Sequence, residues 1–273
     1  IRGLDEPPIS KERTRIARAA YYALTEKMDF NIGKVLDKLN QTGLDKNTLV
    51  IYVSDHGDLI GEHGCWWKSM YYEGSVGVPM IVAGPNVSSQ NRVCNQLSSL
   101  LDIGPTLFDI VGALNTHSND GISLRKCIEE DINILDSKRS IISEMVDIRR
   151  DTPSVASRMI RTGEWKLWQT YDEKGYSQPA MFNLKNDFSE KIDLSSSLPN
   201  YLTKKKLLKI MHKTWSPKSD RIAAENLRKD LVDVIQRYGK ASNPFSDDVL
   251  EFPNDSLEKD VTIVPSDLET DLR

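Results

Sequence analysis

Six consecutive aliphatic, β-branched or aromatic residues, Thr48-Leu49-Val50-Ile51-Tyr52-Val53, run straight into Ser54-Asp55-His56-Gly57-Asp58. A run this short, with no alternation of polar and apolar positions, predicts a parallel β-strand buried on both faces. Such a strand needs helices above and below it, which points to one class: α/β, a mostly parallel sheet sandwiched by helices. Open sheets of this kind bind their ligands just beyond the carboxyl ends of the strands, and Asp55 and His56 fall there. Lys68 follows thirteen positions after Asp55, across a glycine-rich turn from Gly57 to Gly64. A carboxylate and an imidazole side by side can both ligate a divalent metal, while an ammonium holds an anionic group beside them. Asp55 and His56 are therefore the candidate metal ligands, and Lys68 the candidate anion contact.

The rest of the chain supplies partners for that strand. Apolar or small residues at Ile16, Ala20, Leu24, Met28, Val35 and Leu39 recur at three- and four-residue spacing. That is the buried stripe of a helix opening at Ser10 or Lys11 and stopped by Gly43. Val78 to Ala83 reads as a second strand, ended by Gly84-Pro85, and Pro105 sits at the first position of a helix running to Val111. Ile141 to Glu144 is a third strand candidate. From Arg158 the texture changes: Arg158 to Arg161, a Thr162-Gly163-Glu164 turn and Trp165 to Thr170 read as a hairpin, with a further short strand over Ala180 to Leu184. Helices follow over Leu202 to Trp215 and Asp220 to Tyr238. The expected division is an α/β domain over 1–150, a small antiparallel α+β subdomain with helices over 151–243, and an acidic, proline-punctuated tail over 244–273 that is strapped or disordered.

Composition excludes several classes of function. A formal net charge of −4 offers no electrostatic footprint for nucleic acid. No apolar run approaches the roughly 20 residues that span a bilayer. Three cysteines, Cys65, Cys94 and Cys127, form no Cys-x-x-Cys pair and suggest neither a disulfide framework nor a zinc site.

The ordered motifs resemble a known family. Ser54-Asp55-His56-Gly57-Asp58-Leu59-Ile60-Gly61-Glu62-His63-Gly64, then Trp67-Lys68, Tyr72-Glu73 and Val78-Pro79, resemble the C-terminal half of a type I sulfatase. The choline-sulfatase and phosphonate-monoester-hydrolase branch of the alkaline-phosphatase-like superfamily is the nearest in flavour. Asp102-Ile103-Gly104-Pro105-Thr106-Leu107 resembles the family's D-x-x-P-T-L helix start. Gly163 to Leu167 and Phe182 to Glu190 resemble its G-x-x-K-L and Y-D-L-x-x-D-P-x-E strand signals. The resemblance covers residues 10 to 195. It implies sulfate-ester hydrolysis on a small molecule or saccharide. It also implies a divalent metal at Asp55 and His56, Ca2+ first with Mn2+ as the alternative, and a catalytic, sulfate-binding role for Lys68. His63, in the same turn, is a substrate contact or a hydrogen-bond partner of the loop. Trp66, Trp67, Tyr71 and Tyr72 are expected to pack the loop against the sheet, with a pocket wall as the alternative. Glu73 is expected to be a structural acceptor, Cys65 inert, and His117 and His212 surface residues without a role.

The family's nucleophile is a formylglycine made from a Cys/Ser-x-Pro-x-Arg motif, and this sequence lacks one. The three cysteines are followed two places on by Trp67, Gln96 and Glu129, while Ser197-Leu198-Pro199-Asn200-Tyr201 lacks the arginine. The family's paired N-terminal aspartates have no counterpart either, and Gly77 stands where the family usually places arginine before Val-Pro. The chain is therefore expected to carry half an active site, inactive alone, with formylglycine and further ligands from an N-terminal half of the same enzyme. Two alternatives stay open: a phosphodiesterase or phosphonate monoester hydrolase of the same superfamily, and a non-catalytic remnant or binding module. The apolar run Thr48–Val53, with few covering elements in this chain, also predicts apolar sheet surface left open to solvent.

Overall fold

The computed structural model of the protein describes residues 9–88, 92–114, 120–130, 139–147 and 153–238. His117 and the tail expected over 244–273 lie outside the described residues. Helix α1 (Lys11–Gln41) begins where the Ser10 hydroxyl accepts the Arg13 N–H at 3.2 Å. It ends before Gly43, which takes the left-handed φ of 71° that glycine adopts without strain. Strand β1 (Val50–Val53) follows, then a ribbon of β2 (Leu59–Ile60) and β3 (Trp66–Trp67), the single-turn α2 (Glu73–Val76) and β4 (Met80–Ala83).

β1 is the strand the apolar run predicts, but its partner runs the other way. It pairs antiparallel with β4, Val50 opposite Ala83 and Val53 opposite Met80. Every strand pairing among the described residues is antiparallel. An apolar run reports that both faces avoid water; it carries no information on the direction of the neighbour. Nor is β1 buried on both faces here: all four residues are only half-buried, and Ile81 of β4 is 58% exposed. The stripe of α1 is likewise open. None of its 31 residues is buried, and Leu24 and Val35 are 71% and 68% exposed. It touches the neighbouring elements at isolated points, such as Arg18 Nε donating to the Ile60 carbonyl at 2.8 Å. The uncovered sheet surface expected from the sequence is present.

Helix α3 (Ile103–Val111) and the short α4 (Arg125–Glu129) lead to the second region. The Asp102 carboxylate, fully buried, takes two hydrogen bonds from the Arg139 guanidinium at 2.6 and 2.8 Å and two more from the Ser99 and Ile122 N–H groups. Burial alone would raise the Asp102 carboxyl, but these donors outweigh it and hold the group below the usual carboxylate range. The D-x-x-P-T motif is thus a structural staple that joins α3 to the start of β5.

β5 (Ser140–Asp147), β6 (Val155–Thr162), β7 (Trp165–Asp172), β8 (Gly175–Tyr176) and β9 (Ala180–Asn183) form one five-stranded antiparallel sheet. β5 extends well beyond the Ile141–Glu144 stretch seen in the sequence and belongs to this sheet, pairing with β6 along its whole length. Helices α5 (Tyr201–His212) and α6 (Pro217–Tyr238) pack on it. Ile160, Leu167, Met181 and Met211 are completely buried, with Ala156, Leu207 and Trp215 around them. α6 buries Ala224 rather than the larger Ile222 and Leu227, which are half exposed. A small side chain lets the helix approach the sheet closely. His212 differs from its expected surface role: it is half-buried, stacked on Tyr176 and hydrogen-bonded to the Gln169 side-chain oxygen Oε1 at 2.9 Å. Among the described residues no helix is long and apolar enough to cross a membrane.

Candidate functional site

The site begins where β1 ends. The Ser54 hydroxyl donates to the His56 carbonyl at 2.7 Å, and the Asp55 carboxylate accepts the His56 N–H at 2.9 Å. That backbone hydrogen bond is the chief reason the exposed Asp55 carboxyl sits below its usual range. The His56 ring is oriented by its Nδ1, 3.0 Å from the Gly57 carbonyl. A carbonyl only accepts, so Nδ1 carries the proton and Nε2 keeps a free lone pair. Lys68 Nζ donates to that lone pair at 2.8 Å. Asp55 Oδ2 lies 3.6 Å from the same Nε2. Asp55, His56 and Lys68, picked out separately in the sequence, thus meet at one exposed point.

Two glycines make the turn possible. A Cβ on Gly57 would lie 2.2 Å from the Gly74 carbonyl oxygen, and one on Gly74 would strike Leu59 Cδ2 at 2.9 Å. The Gly57 N–H donates to the Ser75 carbonyl at 2.8 Å, and the Ser75 hydroxyl donates to the Lys68 carbonyl at 2.5 Å. The α2 turn therefore touches both the residue after His56 and the backbone of Lys68. Gly57 was visible in the sequence; Gly74 was not, because nothing local marks a contact seventeen residues away.

His63 lies in the intervening turn with φ of 55°, its ring stacked on Tyr72 at 3.7 Å and 3°. Trp67 is also left-handed, with φ of 73°, and is 63% exposed. Non-glycine residues held in this region cost about 1–3 kcal/mol each and cluster at functional loops. Of the four aromatics expected to pack the loop, Tyr71 is buried and donates its hydroxyl proton to the Ser157 carbonyl at 2.9 Å. Burial pushes its phenol up to about 12. Tyr72 continues edge-on to Trp168; Trp67 has no comparable ring contact among the described residues and is mostly exposed. Cys65 is buried and its thiol is raised by that burial, which suits an inert residue.

Beneath the turn lies a cluster the sequence did not reveal. Lys166 is fully buried, its Nζ 2.5 Å from Glu73 Oε1, 2.7 Å from Glu190 Oε1 and 2.9 Å from the Tyr71 carbonyl. Glu190 Oε2 accepts the Glu73 N–H at 2.6 Å. Glu73 is thus the structural acceptor expected. In the sequence Lys166 and Glu190 read as strand signals; the one hint was a lysine between Trp165 and Leu167-Trp168.

Asp55 and His56 are suited to a divalent metal: the Asp55 carboxylate faces solvent 3.6 Å from His56 Nε2, and an ion there would take over the Nε2 lone pair that now accepts from Lys68. Nδ1–H donation to a carbonyl is the usual support for a ligating imidazole. They make a pair and not a full set, because among the described residues no group of three or more His, Cys, Asp or Glu can hold an ion.

Known proteins are similar to this chain. The model of the family described as Sulfatase matches residues 6–113, and that described as N-sulphoglucosamine sulphohydrolase, C-terminal, matches residues 61–216. Arylsulfatase K of Danio rerio is 33% identical over 191 residues, 70% of this chain and 36% of that protein. Choline-sulfatase of Rhizobium meliloti (strain 1021) is 33% identical over 161 residues, 58% of this chain and 30% of that protein. The chain thus spans about a third of the length of these curated relatives. Among solved structures, a phosphonate monoester hydrolase from Silicibacter pomeroyi superposes with a TM-score of 0.65 at 22% identity, covering 75% of this chain and 42% of that one. That likeness speaks for the fold alone, which is the alkaline-phosphatase-like α/β fold. With the second family model covering more than half of its 273 residues, this chain belongs to the sulfatase family of the alkaline-phosphatase-like superfamily.

Proposed function

We propose that the chain contributes half of the active site of a sulfuric ester hydrolase. The observation that carries this reading is the convergence of Asp55 Oδ2 and Lys68 Nζ on His56 Nε2, at 3.6 and 2.8 Å, inside a sulfatase sequence. Asp55 and His56 would hold a divalent ion, Ca2+ first because a carboxylate suits it, with Mn2+ as the alternative because an imidazole does. Such an ion, when bound, polarises the ester oxygens. The Lys68 ammonium binds the anionic group and offsets charge growing on the leaving oxygen, an electrostatic contribution from a positioned donor. The Gly57 carbonyl keeps the His56 proton on Nδ1 and so keeps Nε2 turned to the site. His63, fixed by Tyr72, borders the site as a candidate substrate contact.

The nucleophile and the remaining ligands would come from an N-terminal half of the same enzyme. The open stripe of α1 and the half-covered β1–β4 pair support this, because large aliphatic side chains each gain about 1.5–3 kcal/mol on burial. A formylglycine in that half is the expected nucleophile. The substrate is a sulfate ester of a small molecule or saccharide. A tetrahedral phosphorus ester would satisfy the same metal and lysine, and the structural likeness to a phosphonate monoester hydrolase keeps that reading as the second.

The test is Lys68→Ala in the longer enzyme, assayed on paired aryl sulfate and aryl phosphonate esters. The expected result is a preference for sulfate and a fall in kcat of about 10²–10³, with metal affinity little changed. An unchanged kcat makes Lys68 a surface lysine. A preference for the phosphonate favours the second reading, and no turnover of either by the parent enzyme favours a binding module.

A further inference from the structure

We propose that Lys166 and Glu190 are positioning residues: from the antiparallel subdomain they aim the α2 turn, and through it set Asp55–His56 and Lys68. α2 is only four residues long. One helical turn has almost no stability of its own, because the first hydrogen bond fixes several residues at once. Its place is dictated from outside. The Lys166 ammonium is directed at one small region: it donates to the Tyr71 carbonyl and to Glu190, which itself accepts the Glu73 N–H, and it forms an ion pair with the Glu73 carboxylate. On its other side the turn accepts the Gly57 N–H through Ser75 and donates the Ser75 hydroxyl proton to the Lys68 carbonyl. One ion pair and one hydrogen bond therefore separate the buried lysine from each half of the site.

Stability alone is a weak reason for such a cluster. Lys166 and the nearby Arg161 face Glu73 and Glu190, so the cluster is a set of buried or part-buried ion pairs, and such pairs are often no better than apolar groups of the same shape. Tyr71, buried and bonded to Ser157, already ties the loop to β6. What a charged cluster adds is direction, since hydrogen bonds fix an angle as well as a distance. The catalytic consequence rests on the function proposed above; the mechanical coupling does not.

The coupling can be read from imidazole tautomers in the 273-residue chain, with no metal and no ester present. His56 is held as the Nδ1–H form by the Gly57 backbone carbonyl, whereas His212 is held as the Nε2–H form by the Gln169 side-chain oxygen Oε1, whose amide N–H donates to the Ser177 carbonyl. The two therefore give opposite patterns in a long-range 1H–15N spectrum at about pH 8, above the ordinary imidazole range. His212 is half-buried against Tyr176 and Trp215 of the subdomain and serves as the internal control. Glu190→Gln and Lys166→Met are expected to collapse the His56 pattern to an average of both tautomers and leave His212 unchanged. The double variant Lys166→Met/Glu190→Leu removes one charge of each sign, leaving Glu73 beside Arg161, while filling the space. It is expected to keep the His212 pattern and still lose that of His56. A double variant that folds with His56 as in the parent overturns the proposal. So does a double variant that loses both patterns, because the cluster would then serve folding alone. A failure of the sulfatase reading would alter none of these spectra.

Discussion

The region from α1 to α3 and the antiparallel subdomain treat apolar surface in opposite ways. In the subdomain, Ile160, Leu167, Met181 and Met211 are completely removed from water by strands and helices of the same chain. In the first region, Leu24, Val35 and Val111 are largely exposed, at 71%, 68% and 72%. Yet the second region has the closed core and the first has Asp55, His56 and Lys68. The difference teaches where the order of the site comes from. Its residues sit on an open scaffold and are aimed by hydrogen bonds from a closed one, through Lys166, Glu190 and Ser157. On the reading proposed above, the open surface is one side of a core shared with an N-terminal half.

The largest effect should come from cutting into the closed region. Leu167→Ala removes a fully buried side chain between β6, β9 and α5. Urea unfolding should show a loss of about 2–5 kcal/mol, the usual range for a core leucine. A loss below 1 kcal/mol would mean that the subdomain core is not the source of stability.

A smaller effect separates the regions by pH. Burial, and then the nearby Arg158 charge, holds the His212 imidazole below its ordinary range. The unfolded chain therefore takes up a proton near pH 6.5, roughly the ordinary value, before the folded chain does. His212's contribution is complete above that pH and is lost as the pH falls toward the folded value. Thermal melts should show the subdomain weakening in mild acid, and His212→Gln should flatten the slope. An equal slope in that variant would assign the acid sensitivity elsewhere.

The smallest effect is expected in the open region. Leu24→Ala on α1 should change stability by less than about 0.5 kcal/mol, as for a surface position. A change as large as that of Leu167→Ala would show that α1 is covered within this chain, and the contrast between the regions would fail.

Much of this was legible in the residues themselves. Ser10, Gly43 and the apolar spacing marked α1, because caps and periodicity are local. Asp55, His56 and Lys68 were legible because a strand end, a glycine turn and a cation follow each other within fifteen residues. The direction of β1's neighbour was not, since an apolar run looks the same beside a parallel or an antiparallel partner. The openness of α1 was foreseen for the sheet but not for the helix: periodicity shows which face seeks cover and is silent on whether cover is at hand. Lys166 and Glu190 read as strand signals because their partner, Glu73, lies 93 and 117 positions away. A buried ammonium is chemically the same residue as a surface one until its surroundings are known.

The central claim is that this chain holds half of a hydrolytic site, two metal ligands and an anion contact without a nucleophile. The most direct measurement is hydrolysis of an aryl sulfate by the purified 273-residue chain, with Ca2+ or Mn2+ added and Lys68→Ala as the control. The account predicts no turnover above background for either protein. Turnover by the parent chain that disappears in Lys68→Ala would contradict it, because a complete site would then lie within these residues.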